Sequence, residues 1–470
     1  MPFNTIQFYA AFICFLIIYS VLRQQSRTLM TLYVTLAGTL FFYHANAEIA
    51  LLLPATALVS WSLTRRMSQT AGSLRRKWLV SIILIDLLPL LYFKYTNFGI
   101  DLLNVLLQRN IPFLDIILPV GISFYTFQAI SYTVDVYRKH FQLDVDFLEY
   151  LFYLSFFPLL LAGPITRAET LIPQLRRHAP VDPRMLSLGL FLIISGIIKK
   201  NIIADYIAQY NNWIFNDPLM YSGFENLMGV LGYTIQIYTD FSGYSDMSIG
   251  IAALMGFQLR DNFNFPYQSL NITEFWHRWH ISLSTWFRDY LYIPLGGNRK
   301  GSLRTYFNNF LTMVVAGLWH GSTLMYVLWG ALHGAALVLH KFFKRHLLDR
   351  IGNHWYIHIF SWILFFMFIQ VTWVFFRSPD MDTAINIFTR IIDDFDIAYV
   401  PVFLKARPMW SVIVFLALLL HAVRERHYHW LQEHFIRLHW IVKLAILLIV
   451  IQLAIQFYTS TVQPFLYYQY

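Results

Sequence analysis

The chain has 470 residues, 57% of them hydrophobic and only 13% charged, with a formal net charge of +9. Soluble domains carry roughly 25% charged residues, and only a hydrocarbon phase accepts apolar side chains on every face of a helix, so a soluble globule is excluded. The positive charge does not mark a nucleic-acid patch either, because Lys and Arg fall in short clusters between apolar runs, as in cytoplasmic loops of membrane proteins.

Apolar segments recur from Phe8 to Phe457 without a long polar interruption, which predicts one polytopic domain over 1–470. The first run has no basic residues ahead of it and no small-residue cleavage site, so it reads as a retained span, not a signal peptide. Cys14, the single cysteine, lies inside it and has no partner for a disulfide. Arg23 and Arg27 place the end of this span on the cytoplasmic side. Leu29 to Tyr43 then runs outward, Ile49 to Leu63 returns, and Arg65, Arg66, Arg75, Arg76 and Lys77 mark a cytoplasmic loop. Arg138 with Lys139, Lys199 with Lys200, Arg299 to Arg304, Lys341 to Arg345, and the stretch from Arg424 to Lys443 extend the same pattern.

The last run, Ile441 to Phe457, delivers the C-terminus outside, the side also expected for the N-terminus. Arg167, Arg176, Arg177 and Arg184 resist strict alternation, which re-entrant helices nearby would resolve. A span needs about 20 apolar residues, and several runs are shorter and carry Gly or Pro. The expected fold is therefore all-α and polytopic, with roughly 11 to 14 membrane-inserted helices, re-entrant ones included, around a central channel. The polar stretch from Arg377 to Arg407 is expected to form a short helical cap outside the membrane.

Polar and ionisable residues become dense between Gln236 and Gly334, and residues 240–335 are expected to hold the catalytic core. Charges at membrane depth are expensive, so they line a cavity or pair. Asp240 and Asp246 stand six residues apart around Gly243, placed to coordinate a cation or polarise a base, or else to pair with Arg278, Arg288 or Lys200. In the next segment Asn271 or Thr273 can cap a helix running to about Tyr292. There Trp276, Trp279, Ile281, Leu283 and Trp286 alternate with His277, Arg278, His280, Arg288 and Asp289, a pattern suited to an interface or a re-entrant dip.

A spacing of three puts His277 and His280 on one helical face, but no Cys or third close ligand accompanies them. No metal is expected, and His280 is left to hydrogen bonding or substrate orientation. His320 ends an apolar run that Gly321 and Ser322 interrupt before a second run reaches His333. An imidazole at such a break can stay neutral and serve as a general base, and spacing alone leaves open a hydrogen-bonded buried histidine. His333 lies 13 residues on and faces elsewhere unless the break reorients it.

The chain resembles the membrane-bound O-acyltransferase family, in its bacterial branch of alginate, peptidoglycan and cellulose acetylation. The likeness is carried by LPVGISFYTFQAISYTVDVYR from Leu118, FFPLLLAGPITR from Phe156, GLFLIISGIIKKNIIAD from Gly189 and YTDFSGYSDMSIG from Tyr238. It continues through FWHRWHISLSTWFRDYLYIPLGGNR and AGLWHG. Thr239 stands where an aromatic residue is expected and His277 where Arg is usual. The resemblance implies that His320 is the family's essential histidine and that His280 belongs to its second histidine motif.

Acyl-CoA is made in the cytoplasm, whereas exopolysaccharides and cell-wall glycans are modified outside. The expected activity is therefore O-acetylation of an extracytoplasmic polysaccharide, with acetyl-CoA as donor substrate and no permanently bound cofactor. His320 would take the acceptor hydroxyl's proton as it attacks the thioester. The path to it is expected to be lined by Asp240, Tyr244, Asp246, Trp276 and Arg278, and further by Arg288, Asp289, Trp319 and His333.

The tail, 458–470, is expected outside, and FLYYQY resembles an aromatic C-terminal motif of this branch, with Tyr467 at the position implicated as an acyl carrier. An interfacial aromatic anchor is the other reading of that tail. No G-x-S-x-G elbow is present, so a second enzyme is expected as partner; the resemblance implies a separate periplasmic or surface transferase of the SGNH-hydrolase type, carrying polymer specificity. Two rivals remain from the residues: a transporter or flippase, which would also break its helices and bury charge, and a haem protein drawing on the 16 histidines. The second lacks helical pairing of histidines that would fix axial ligands.

Overall fold

The computed structural model describes residues 3, 5–141, 144–160, 163–178, 180–346 and 354–457. Tyr467, proposed from the sequence as an acyl carrier, lies outside the described residues, as does the rest of the tail 458–470. The described residues are helical with turns and short 3-10 and π segments, and no strand occurs among them. Large apolar side chains stand exposed along the helices, among them Leu51, Val105, Leu106, Phe360 and Phe415. A helix surface of that kind is stable against hydrocarbon and not against water.

Among the described residues, five helical stretches are long and apolar enough to cross a membrane: 7–25, 47–68, 72–107, 183–216 and 355–377. Two sharply bent pairs, Tyr399–Ala406 with Pro408–Ala422 at 97° and Glu425–Arg437 with Trp440–Gln456 at 120°, raise the number to seven if each is one broken span. Gly223–Leu254, Ser302–His320 and Leu324–His346 are also long, but interleave polar residues with apolar ones. Apolar length alone thus identifies five to seven of the roughly 11 to 14 insertions expected.

The chain forms two compact units, one of Met1–Leu190 with Ser248–Arg260, the other of Phe191–Met247 with Asp261–Tyr470. In the first, Thr5 caps Ile6–Gln25 through the Phe8 N–H, and Ser26, extended at φ −157°, turns the chain into Arg27–Ala45. Gly38 lets that helix press on the last turn of Phe147–Ser155, since a Cβ there would run into the Ser155 carbonyl oxygen. Asp86, buried in Gly72–Leu90, accepts from Ser60 Oγ at 3.1 Å, which in turn accepts from the Tyr150 hydroxyl. The arginines that resisted alternation belong partly to Ala168–Arg177, ten residues long and too short to span. Arg176 grips Glu149 there at 2.6 Å, so it is held by a carboxylate and does not mark a loop.

The second unit carries most of the polar middle of the sequence, all but Ser248–Arg260. Lys199 and Lys200, read from the sequence as a loop signal, lie instead within the apolar helical stretch 183–216, where the backbone widens into a π segment, Ile198–Ala204. The polar stretch 377–407 does form short helices, Met381–Asp393 and Tyr399–Ala406. The first is capped by Asp380, whose carboxylate accepts from the Thr383 N–H at 2.8 Å.

Candidate functional site

Ser302–His320 and Leu324–His346 form an antiparallel hairpin whose seam is made by glycines. A Cβ at Gly317 would strike the Tyr326 carbonyl oxygen, one at Gly330 the Met313 carbonyl oxygen, and one at Gly334 the Phe310 backbone. Small residues let the two backbones approach where no hydrophobic effect drives helix pairing. His320 is the last residue of its helix, as the interrupted pattern predicts, and Gly321 follows against the Tyr326 ring, where no side chain fits. His320 is 3% exposed and sits edge-on to Trp319, Trp329 and Phe376, with ring centroids 5.0, 5.1 and 5.5 Å away.

The reversal also moves His333 to the same neighbourhood. Its ring lies 4.5 Å from Trp329, which therefore stands between the two histidines. Thr372 Oγ1 donates to the Ile369 carbonyl at 2.9 Å, so His333 Nε2 donates to Thr372 at 3.1 Å and the ring is clamped by hydrogen bonding.

The expected continuous helix from 271 to about 292 is not formed. Asn271 does cap it, accepting from the Glu274 N–H at 3.0 Å, but the helix stops at Arg278. His280 adopts a left-handed conformation, φ 43° and ψ 55°, before Ile281–Phe287 begins. A non-glycine residue held there costs about 1–3 kcal/mol, a strain that surrounding structure must over-determine. The kink separates the two histidines: His277 is exposed and His280 fully buried. Among the described residues no group of three or more His, Cys, Asp or Glu could hold a metal ion. His280 packs edge-on to Phe241 at 4.7 Å and stands 5.9 Å from Trp319, so Trp319 touches both His280 and His320.

Asp240 and Asp246 are both in ion pairs. Asp240 binds Lys200, which also holds Asp205 at 2.7 Å, and Asp246 binds Lys199 at 2.7 Å with Ser195 Oγ at 2.9 Å. Pairing with Lys200 is one of the alternatives the sequence leaves open, whereas Lys199 is a partner it does not suggest. Two adjacent lysines on a widened turn reach two carboxylates six residues apart on the facing helix. Tyr244, one turn past Asp240, is fully buried. Arg278 pairs with Glu274 at 2.9 Å and Arg288 with its neighbour Asp289 at 2.7 Å.

Trp276 and Arg288 line a cavity of about 300 Å³ whose apolar wall includes Ile281, Leu283, Met313 and Ala316. Ala316 is one turn before His320 on the same helix. Lys341, also on the wall, donates to Asn309 Oδ1 at 3.0 Å and lies 5.7 Å over the Tyr292 ring. The cavity joins an apolar interior to two cations, a combination suited to an amphipathic anion.

The membrane-bound O-acyltransferase family, MBOAT, matches residues 137–377. A probable alginate O-acetylase, AlgI, of Pseudomonas aeruginosa is 38% identical over 376 residues, 79% of this chain and 70% of the relative. The chain belongs to the membrane-bound O-acyltransferase family. A peptidoglycan O-acetyltransferase of Helicobacter pylori is 34% identical over 389 residues, 77% of this chain and 73% of that one. A teichoic acid D-alanyltransferase of Bacillus subtilis is 29% identical over 237 residues, 48% and 60% of the two chains.

The protein is thus a multi-pass membrane O-acyltransferase, and the matched span contains both His280 and His320. Two partners within this O-acyltransferase escape a reading of the sequence. Asn262 Oδ1 lies 3.1 Å from His280 Nδ1, 18 residues away in the chain, and Trp329 is wedged between His320 and His333. Nothing in local spacing points to Asn262. The tryptophan could have been found from the apolar run it shares with His333, had the hairpin been assumed.

Proposed function

We propose that this O-acyltransferase passes an acetyl group from cytoplasmic acetyl-CoA towards an extracytoplasmic polysaccharide, with His320 as general base. The observation that carries the reading is His320 itself, held at a helix end among aromatic rings, with a cation-bearing cavity beginning one turn away at Ala316. The donor enters that cavity with its phosphates towards Arg288 and Lys341 and its pantetheine arm along the apolar wall. His320 takes the proton of the acceptor hydroxyl, the oxygen attacks the thioester carbonyl, and CoA leaves as the thiol with that proton. His280 orients the acceptor, and Trp319 keeps the two histidines apart and the site dry.

Acetyl and polysaccharide are favoured because relatives at 38% and 34% identity are named for O-acetylation of alginate and of peptidoglycan. Tyr467 receives the acyl group first, and an SGNH-type transferase outside the bacterial inner membrane moves it onto the polymer. The termini, in this reading, are both extracytoplasmic. The test is incubation of the membrane-embedded protein with isotope-labelled acetyl-CoA, followed by mass spectrometry of the C-terminal peptide. Label on Tyr467, absent in Tyr467→Phe and His320→Gln, is the expected result. Free CoA release without any labelled peptide or labelled acceptor would remove the relay, and no acetyl-CoA turnover at all would favour a transporter.

A further inference from the structure

Asn262 is 1% exposed and follows the helix Gly223–Leu254 in the chain. Its Oδ1 accepts the Ser282 N–H at 3.1 Å and the Ser282 hydroxyl at 2.8 Å, and lies 3.1 Å from His280 Nδ1. Its Nδ2 donates to Ser245 Oγ at 3.3 Å. A backbone N–H can only donate, so the amide atom facing Ser282 must be the oxygen; turning the amide over would set two donors against each other. A carboxamide oxygen can only accept. The hydrogen between Asn262 and His280 therefore belongs to Nδ1, and a neutral imidazole so fixed carries its lone pair on Nε2.

The backbone is held by the same residue. The Ile281 N–H donates to the Asn262 main-chain carbonyl at 2.9 Å, so both carbonyl groups of Asn262 hold the left-handed kink at His280 from one side. The strained backbone and the bond to Asn262 together fix the ring's orientation as well as its tautomer.

We propose that Asn262 is a positioning residue that locks His280 as the Nδ1–H tautomer, so that His280 offers Nε2 to the acceptor hydroxyl's hydrogen and does not polarise the thioester carbonyl. This rests on the reading that His280 serves the transfer. His280 accepts a hydrogen bond and keeps its own hydrogen, while the proton lost on attack goes to His320. The acceptor hydroxyl is thus steered by one imidazole and deprotonated by the other.

The experiment is nitrogen-15 NMR of the full-length protein in lipid nanodiscs with labelled histidine, His280 being assigned by the signals lost in His280→Gln. Wild-type protein is expected to carry hydrogen on Nδ1 and none on Nε2, and Asn262→Ala to redistribute it between the two nitrogens. Hydrogen on Nε2 in the wild type, or an unchanged tautomer in Asn262→Ala, overturns the proposal. Acetyl transfer adds a second readout. Asn262→Ala should lower turnover about 10²-fold with the KM for acetyl-CoA unchanged. Asn262→Asp keeps the acceptor oxygen but stabilises the imidazolium, so its activity should return only as pH rises, with the acid limb displaced upward. Equal losses at every pH in both variants would mean a purely structural role. If His280→Gln turns over at the wild-type rate, the functional reading of His280 falls, while the NMR result still decides the tautomer.

Discussion

His320 combines three features that a lone buried histidine does not need: it ends its helix, it is followed by a glycine with no room for a side chain, and it faces three aromatic rings. On the proposed mechanism, removing the imidazole costs the reaction its base and little else. His320→Ala and His320→Gln, compared at equal protein abundance, should lower polymer acetylation by about 10²- to 10⁴-fold, and full acetylation by both would reject the role. His333 is expected to differ. Its Nε2 is committed to Thr372 on the neighbouring helix Trp355–Arg377, so it reads as a clamp between that helix and the hairpin.

At the scale of elements, two devices hold the site. The first is the glycine seam. Gly317→Val would drive a branched side chain into the Tyr326 carbonyl oxygen, and overpacking of this kind costs about 1–3 kcal/mol or more. A lower unfolding temperature in detergent, together with lost acetylation, is the expected outcome; unchanged melting would mean the helices can part without penalty. The second device is the pair of lysine–aspartate bridges tying the stretch 183–216 to Gly223–Leu254.

Breaking one partner of a buried pair leaves an uncompensated charge, at about 3–5 kcal/mol, whereas removing both leaves none. The Lys199–Asp246 bridge is only partly buried, so Lys199→Met should cost less than that, yet destabilise more than Lys199→Met with Asp246→Asn, a double-mutant comparison read by thermal unfolding. If the double variant is the less stable of the two, the bridge is not acting as a compensated buried pair. Local periodicity could show the glycines and the charges, but not which faced which, because pairing depends on how the helices lie against each other.

At the scale of the molecule, orientation is the open quantity that basic clusters speak to. Arg65, Arg66, Arg75, Arg76 and Lys77 flank the turn between Leu52–Ser68 and Gly72–Leu90, and in the proposed topology that turn is cytoplasmic. Lys199 and Lys200 no longer contribute, being ion-paired within a helical stretch. A small tag at the C-terminus should accordingly be cleaved by protease added to spheroplasts, whose inner membrane is sealed; cleavage only after that membrane is lysed would reverse the topology.

Composition alone was enough to establish a membrane protein, since an apolar excess on every helix face has no other stable solvent. The helix break after His320 and the cap at Asn271 were equally legible, because both are set by residues within a few positions of each other. Tertiary structure alone decided that the hairpin returns Trp329 to His320, that the chain kinks at His280, that Asn262 holds that kink, and which lysine meets which aspartate. Those are contacts between groups up to tens of residues apart, fixed by how close two backbones can come and by the need to pair every buried charge and hydrogen-bonding atom.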